Sequence, residues 1–143
     1  MKGQATKQWA NVESSYQRRS DLIGNLVKTV QGAADFERGT LTDVIEARAK
    51  ATSTTVDANN LTPEKMAAFQ EAQSGLTGAL SKLMVVVERY PELKANQNFL
   101  ELQTQLEGTE NRINVERNRF NDLAGDYNIK MEKLEFILRL ILD

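Results

Sequence analysis

The sequence predicts an all-α protein, an antiparallel up-and-down bundle of four long helices. Three observations predict it. Apolar residues return with alternating steps of three and four along nearly the whole chain, only two prolines interrupt it, and aromatic residues make up just 6% of it. A length of 143 residues suits one domain, 1–143, able to bury a core of its own.

The first helix is expected over 4–31. Its seam is Trp9, Val12, Tyr16, Arg19, Ile23, Leu26, Val30, the heptad pattern of a helix lying almost parallel to its neighbours. Gly24 sits inside that helix and marks a slight bend or a close neighbour. The seam fades over 32–39, where two glycines flank charged residues, so the chain either breaks there or kinks within one continuous helix.

A second helix is expected over 40–54, with Thr40 as its cap and Asp43 completing a box-like arrangement. Leu41, Val44, Arg48 and Ala51 form its seam, with Ile45 widening the stripe. Hydroxyl, β-branched and Asn/Asp residues over 52–60 favour a long surface connection.

The third helix, 63–89, has the clearest start: Thr62 caps it and Pro63 fills its first position. Met66, Phe69, Gln73, Leu76, Leu80, Leu83, Val87 and Tyr90 follow as its seam until Pro91 stops it. A short turn over 91–95 leads to a last helix, 96–140, whose seam begins Phe99, Leu102, Leu106, Thr109, Ile113, Glu116, Phe120. The absence of a register slip implies one long rod. Four amphipathic helices joined by short links bury their stripes best as a bundle.

Composition excludes several function classes. With 18 basic and 20 acidic side chains the net charge is −2, which gives no reason to expect nucleic acid as a partner. Cysteine and histidine are both absent, so disulfides, thiolate or imidazole metal sites and Ser-His or Cys-His nucleophiles are ruled out. No cofactor is expected. No apolar run reaches the roughly 18 residues that a bilayer crossing needs, and the first seven residues have no apolar segment of the kind a signal peptide carries.

The informative anomaly is polar residues on apolar seams: Arg19, Arg48, Gln73, Thr109 and Glu116. A buried guanidinium must find a partner. Arg19 or Arg48 is therefore expected to meet Glu107, Glu110 or Glu116 inside the bundle. Such a cluster either forms a cleft for an anionic or peptidic ligand or fixes helix register, as polar seam residues do in coiled coils. A carboxylate di-metal site is disfavoured because that design uses histidines, which the chain lacks. Residues 131–142 are apolar at most positions. They form either a sticky end that docks on a partner helix, another copy or a membrane surface, or simply the covered last turns of the rod.

Several runs resemble the LemA family of bacterial proteins. The segment Tyr16 to Val27, reading YQRRSDLIGNLV, is similar to the opening signature of that family. Thr40-Leu41 with Val44, Ala47 and Arg48 resembles its next block, followed by Ala72-Gln73 with Leu76, Leu80 and Leu83, then Glu88-Arg89-Tyr90-Pro91. The longest similar run is Asn98-Phe99-Leu100 through Leu106-Glu107-Gly108-Thr109-Glu110-Asn111-Arg112-Ile113. The resemblance covers roughly residues 9–128. It implies a helical bundle hung from an N-terminal membrane-spanning helix, without established enzymatic activity.

The chain departs from the family pattern at Gly24, where proline is expected, and at Ala34, Asp35 and Phe36, which replace an aromatic residue and a histidine before Glu37. The membrane-spanning segment has no counterpart here, and 131–143 does not resemble the usual continuation. What the resemblance implies is a non-catalytic scaffold or protein-interaction module, tethered to the cytoplasmic membrane in its full-length form, with a protein partner; the apolar pattern of 131–143, read as a sticky end, adds self-association. Lys2 and Lys7 would then flank the anchor and favour the cytoplasmic side. The alternative is a ligand-binding bundle that uses the interior Arg/Glu cluster.

Overall fold

A computed structural model describes the backbone of residues 2–54, 56 and 62–142, and side chains within 3–54, at 56 and within 62–125. Every element among the described residues is helical. There are five helices: α1 (Lys2–Gln31), α2 (Arg38–Ser53), α3 (Pro63–Val87), the short α4 (Pro91–Lys94) and α5 (Gln97–Leu142).

The chain between α1 and α2 breaks; it does not kink. Gly32 and Ala33 close the end of α1 by donating their amides to the Lys28 and Val30 carbonyls, and Asp35 then turns the backbone at a φ of 59°. Aspartate tolerates this left-handed conformation better than most side chains. The turn aims Phe36 inward, where its ring packs 4.6 Å from that of Tyr90. The extended residue after it, Glu37, is the N-cap, so α2 starts two residues before the predicted Thr40. Thr40 is not a cap. Its hydroxyl donates to the Glu37 carboxylate at 2.9 Å from within the first turn.

The start of α3 is as read from the sequence, with Thr62 Oγ1 accepting the Lys65 amide at 3.2 Å and Pro63 in the first position. Its end comes at Val87, earlier than the predicted 89, because the Arg89 and Tyr90 amides already turn back to the Val86 and Val87 carbonyls. The expected turn over 91–95 is the single-turn helix α4, with Pro91 as its first residue. Asn96 then caps α5 by accepting the Phe99 amide on Oδ1 at 3.1 Å. From there α5 runs unbroken for 46 residues, about 69 Å at 1.5 Å per residue.

The seams are the core. All seven seam residues of α1 are buried, as are Leu41, Val44 and Ala51 of α2, and Phe69, Leu76, Leu83 and Val87 of α3. On α5, Phe99, Leu106, Ile113 and Phe120 are buried too. Ile45 is a correction: at 40% exposure it lies outside the stripe it was expected to widen. Thr52 and Ser53 are the exposed last residues of α2, within the expected 40–54, and the surface reading of 52–60 is corrected at Val56, which is buried. The Val56 carbonyl accepts the Trp9 Nε1–H at 3.3 Å. The side chains of 131–142, and Asp143 altogether, lie outside the described residues, and with them the choice between a sticky end and covered last turns.

The apolar interior is divided. One cluster holds Ile23, Leu26, Val30, Val44, Leu76, Leu83, Phe99 and Leu106 with their neighbours. A smaller one holds Trp9, Val12, Tyr16, Val56, Phe69, Ile113 and Phe120. Along α1 Arg19 and Ser20 fall between the two sets, and along α5 Glu110 does, while Gln73, bonded to Arg19, stands just past their boundary on α3.

Candidate functional site

The polar layer is built around Arg19, which is only 2% exposed yet carries a full charge. Its position follows from α1: the heptad steps that bury Tyr16 and Ile23 bury Arg19 with them. Nη1 donates to Thr77 Oγ1 at 2.8 Å and to Glu110 Oε1 at 2.9 Å. Nη2 donates to the Gln73 carbonyl at 3.1 Å and to Gln73 Oε1 at 2.6 Å. Four charge-assisted bonds offset a desolvation cost that would otherwise reach several kcal/mol. The Nε–H is the exception, buried without a hydrogen-bond partner among the described residues. Below the guanidinium lies the Tyr16 ring, its centroid 5.1 Å away.

The next residue extends the layer to α2. The Ser20 hydroxyl lies 3.1 Å from Thr52 Oγ1, and the Ser20 carbonyl accepts the Arg48 Nε–H at 2.8 Å. Arg48 passes so close over Gly24 that a Cβ there would stand 2.8 Å from Nη2. This close approach calls for glycine at position 24. Two consecutive residues of α1 thus reach α2, α3 and α5 together.

Of the residues singled out in the sequence, Arg19, Gln73 and Glu110 meet. Arg48 joins the same layer through Ser20, without a carboxylate among its described partners. Glu116 is buried but engages a different group: Gln8 Nε2 donates both to its carboxylate and to its backbone carbonyl, and Arg119 stands 3.8 Å away. Glu107 is exposed. Thr109 is buried and returns its hydroxyl to the Gln105 carbonyl at 2.9 Å. Gln8, Ser15, Ser20 and Thr77 were not singled out. Thr77 had a signal, one turn after Gln73 on the same face; Gln8, beside the seam, had none.

A cleft of about 310 Å³ opens beside Arg19, bordered by Tyr16, Thr77, Glu110 and Arg117. Burial pushes the Tyr16 hydroxyl above its ordinary pKa, opposed by the nearby Arg117 and Arg19 charges. Since the folded protein holds this proton more tightly than the unfolded chain, Tyr16 contributes stability below pH 10 that is lost as pH rises through its folded pKa. The difference between the alkaline absorbance titrations of the wild type and Tyr16→Phe should therefore show a tyrosine ionising above pH 10. A difference curve centred at or below that value would contradict the burial argument.

A cleft of about 820 Å³ lies elsewhere, beside Lys28, Gly32, Arg89, Tyr90 and Asn98, and none of the predicted site residues borders it. Among the described residues no group of three or more acidic side chains is placed to hold a metal ion. None of their helices is long and apolar enough to cross a membrane.

These features define a helical protein whose interior charge is engaged by its own neighbouring helices. The chain belongs to the LemA family, whose sequence profile matches residues 8–138. It is similar to Magnetosome protein MamQ 2 of Paramagnetospirillum magneticum, with 29% identity over 87% of this chain and 52% of that protein. Magnetosome protein MamQ of Magnetospirillum gryphiswaldense is 28% identical with the same coverage. Protein LemA of Metamycoplasma hominis is 23% identical over 84% of this chain and 51% of that protein. The chain spans about half the length of the curated relatives it matches.

Proposed function

We propose that the chain is the helical part of a non-catalytic scaffold or protein-interaction module, tethered to the cytoplasmic membrane through a segment that precedes it in the full-length protein. In this reading the domain stands on the cytoplasmic side, and the four long helices run up and down. Contact order along the chain supports that arrangement. Partners on α5 fall in number as α1 rises, from Gln8–Glu116 to Arg19–Glu110, while partners on α3 rise with it, from Tyr16–Phe69 to Arg19–Thr77.

The observation that carries the scaffold reading is the state of Arg19. Both of its terminal nitrogens are engaged by Gln73, Thr77 and Glu110, so this deeply buried cation ties helices together and turns the four donors of its fork to the protein itself. The runner-up, a ligand-binding bundle, needs those donors free.

The test uses the full-length anchored protein in its host, with a photoreactive residue placed singly at the exposed positions Ile45, Val85, Leu100 and Val115. A scaffold should give one discrete protein adduct from one face and keep it when Arg19→Met is combined with Glu110→Gln in a variant that still folds. No discrete adduct at any position would overturn the reading. Loss of the adduct in the folded double variant would favour the ligand-binding alternative instead.

A further inference from the structure

We propose that a slot between α1 and α5, flanked by Arg18 and Arg112, binds a phosphate monoester group. This goes beyond the scaffold reading and does not depend on it. The slot measures about 470 Å³, and its lining contains two arginines and no acidic residue. Arg18 enters from α1 and Arg112 from α5, so two like charges share one space across a helix pair. Facing positions on packed helices normally carry opposite charges, and like charges there destabilise the pair.

Neither guanidinium has a carboxylate partner among the described residues, whose ion pairs are Arg19–Glu110, Lys94–Glu88 and Arg119–Glu116. The adjacent residue shows what a neutralised arginine looks like at the same level of the bundle: Arg19, on the other side of the α1–α5 contact, has Glu110. The buried acid nearest along the hydrogen-bond network does not fill the role. Asn11, at one end of the slot, donates to Gln8, and Gln8 in turn holds Glu116.

The rest of the slot suits a polar guest. Gly108 borders it, and a Cβ built there would meet nothing within 4 Å, so the space stands open above the backbone. Ser15 and Thr109 border it as buried hydroxyls, each bonded to the carbonyl one turn back, which makes this lining polar but uncharged. Ser14 and Gln105 add exposed hydroxyl and amide donors. Guanidinium forks match phosphate oxygens two at a time. A phosphate monoester carries about −1.5 to −2 charges at pH 7, balancing both arginines, where a single carboxylate would leave one uncompensated.

The experiment follows the side-chain Nε–Hε signals of Arg18 and Arg112 in the isotope-labelled chain. It is titrated with inorganic phosphate, with glycerol phosphate, and with chloride at matched ionic strength. A parallel arm adds phosphatidylcholine vesicles with and without phosphatidic acid. The expected result is a saturable shift of both signals with phosphate but not chloride. Arg18→Gln or Arg112→Gln should weaken binding by roughly tenfold, and Arg89→Gln, outside the slot, should leave it unchanged. In phosphate-free, low-salt buffer, Arg112→Gln should also raise Tm by about 1–3 °C, because it removes the like-charge opposition.

Response to the soluble phosphates identifies a free ester as the source. Response only to phosphatidic acid vesicles, lost in either Gln variant, identifies a lipid headgroup. Equal shifts with chloride, wild-type affinity in both Gln variants, or no response in either arm would overturn the site.

Discussion

Arg19→Ala is expected to lower the unfolding free energy by about 3–5 kcal/mol, a loss of roughly 10–15 °C in Tm. The substitution removes four hydrogen bonds at once and leaves the buried Gln73 amide without its guanidinium. Glu110→Gln should cost far less, about 1 kcal/mol or under, because the Glu110 side chain is 39% exposed and water replaces what it loses. This ordering separates the buried hydrogen-bond network from the ion pair as the source of stability. Arg19→Met with Gln73→Leu should recover part of the loss, since apolar groups of similar size leave fewer polar atoms unpartnered. Chemical denaturation of the three variants measures all of this. If Arg19→Ala cost under about 1 kcal/mol, the layer would not be what fixes the helices against one another.

The layer was half legible in the sequence. Arg19 and Gln73 stand out because the seams around them are otherwise apolar, and burial of a seam position is a local consequence of helical periodicity. The choice of acidic partner was not legible. Glu107, Glu110 and Glu116 share one helix, and only the level at which α1 meets α5 decides among them. That level brings Arg19 to Glu110 and leaves Glu116 to Gln8.

The same nonlocal fact hides Arg18 and Arg112, which read as two unrelated surface charges until the helices are paired. Helix starts divide in the same way. Thr62-Pro63 carries its own cap chemistry and was read correctly. The start of α2 is set instead by the Asp35 turn and the docking of Phe36 on Tyr90, more than fifty residues away, so Thr40 misled. The family resemblance, carried by runs spread over most of the chain, agrees with the profile match over 8–138.

Trp9→Ala is expected to cost about 3–5 kcal/mol as well, but with a different spatial signature. Trp9 is 2% exposed, its ring centroid lies 5.3 Å from Phe69 and 5.1 Å from Phe120, and its Nε1–H holds the Val56 carbonyl. It therefore ties three helices and the start of the α2–α3 connection into the smaller apolar cluster. Because the Arg19 layer separates that cluster from the larger one, the damage should stay on its own side. Amide exchange should accelerate over residues 8–16 and 113–120, while protection over 22–30 and 99–106 persists at low denaturant, as expected when a protein opens in cooperative parts. Leu83→Ala, in the larger cluster, should do the reverse at a cost of about 2–5 kcal/mol. Uniform loss of protection in both variants would mean that the polar layer transmits unfolding rather than containing it, and that the two clusters behave as one core.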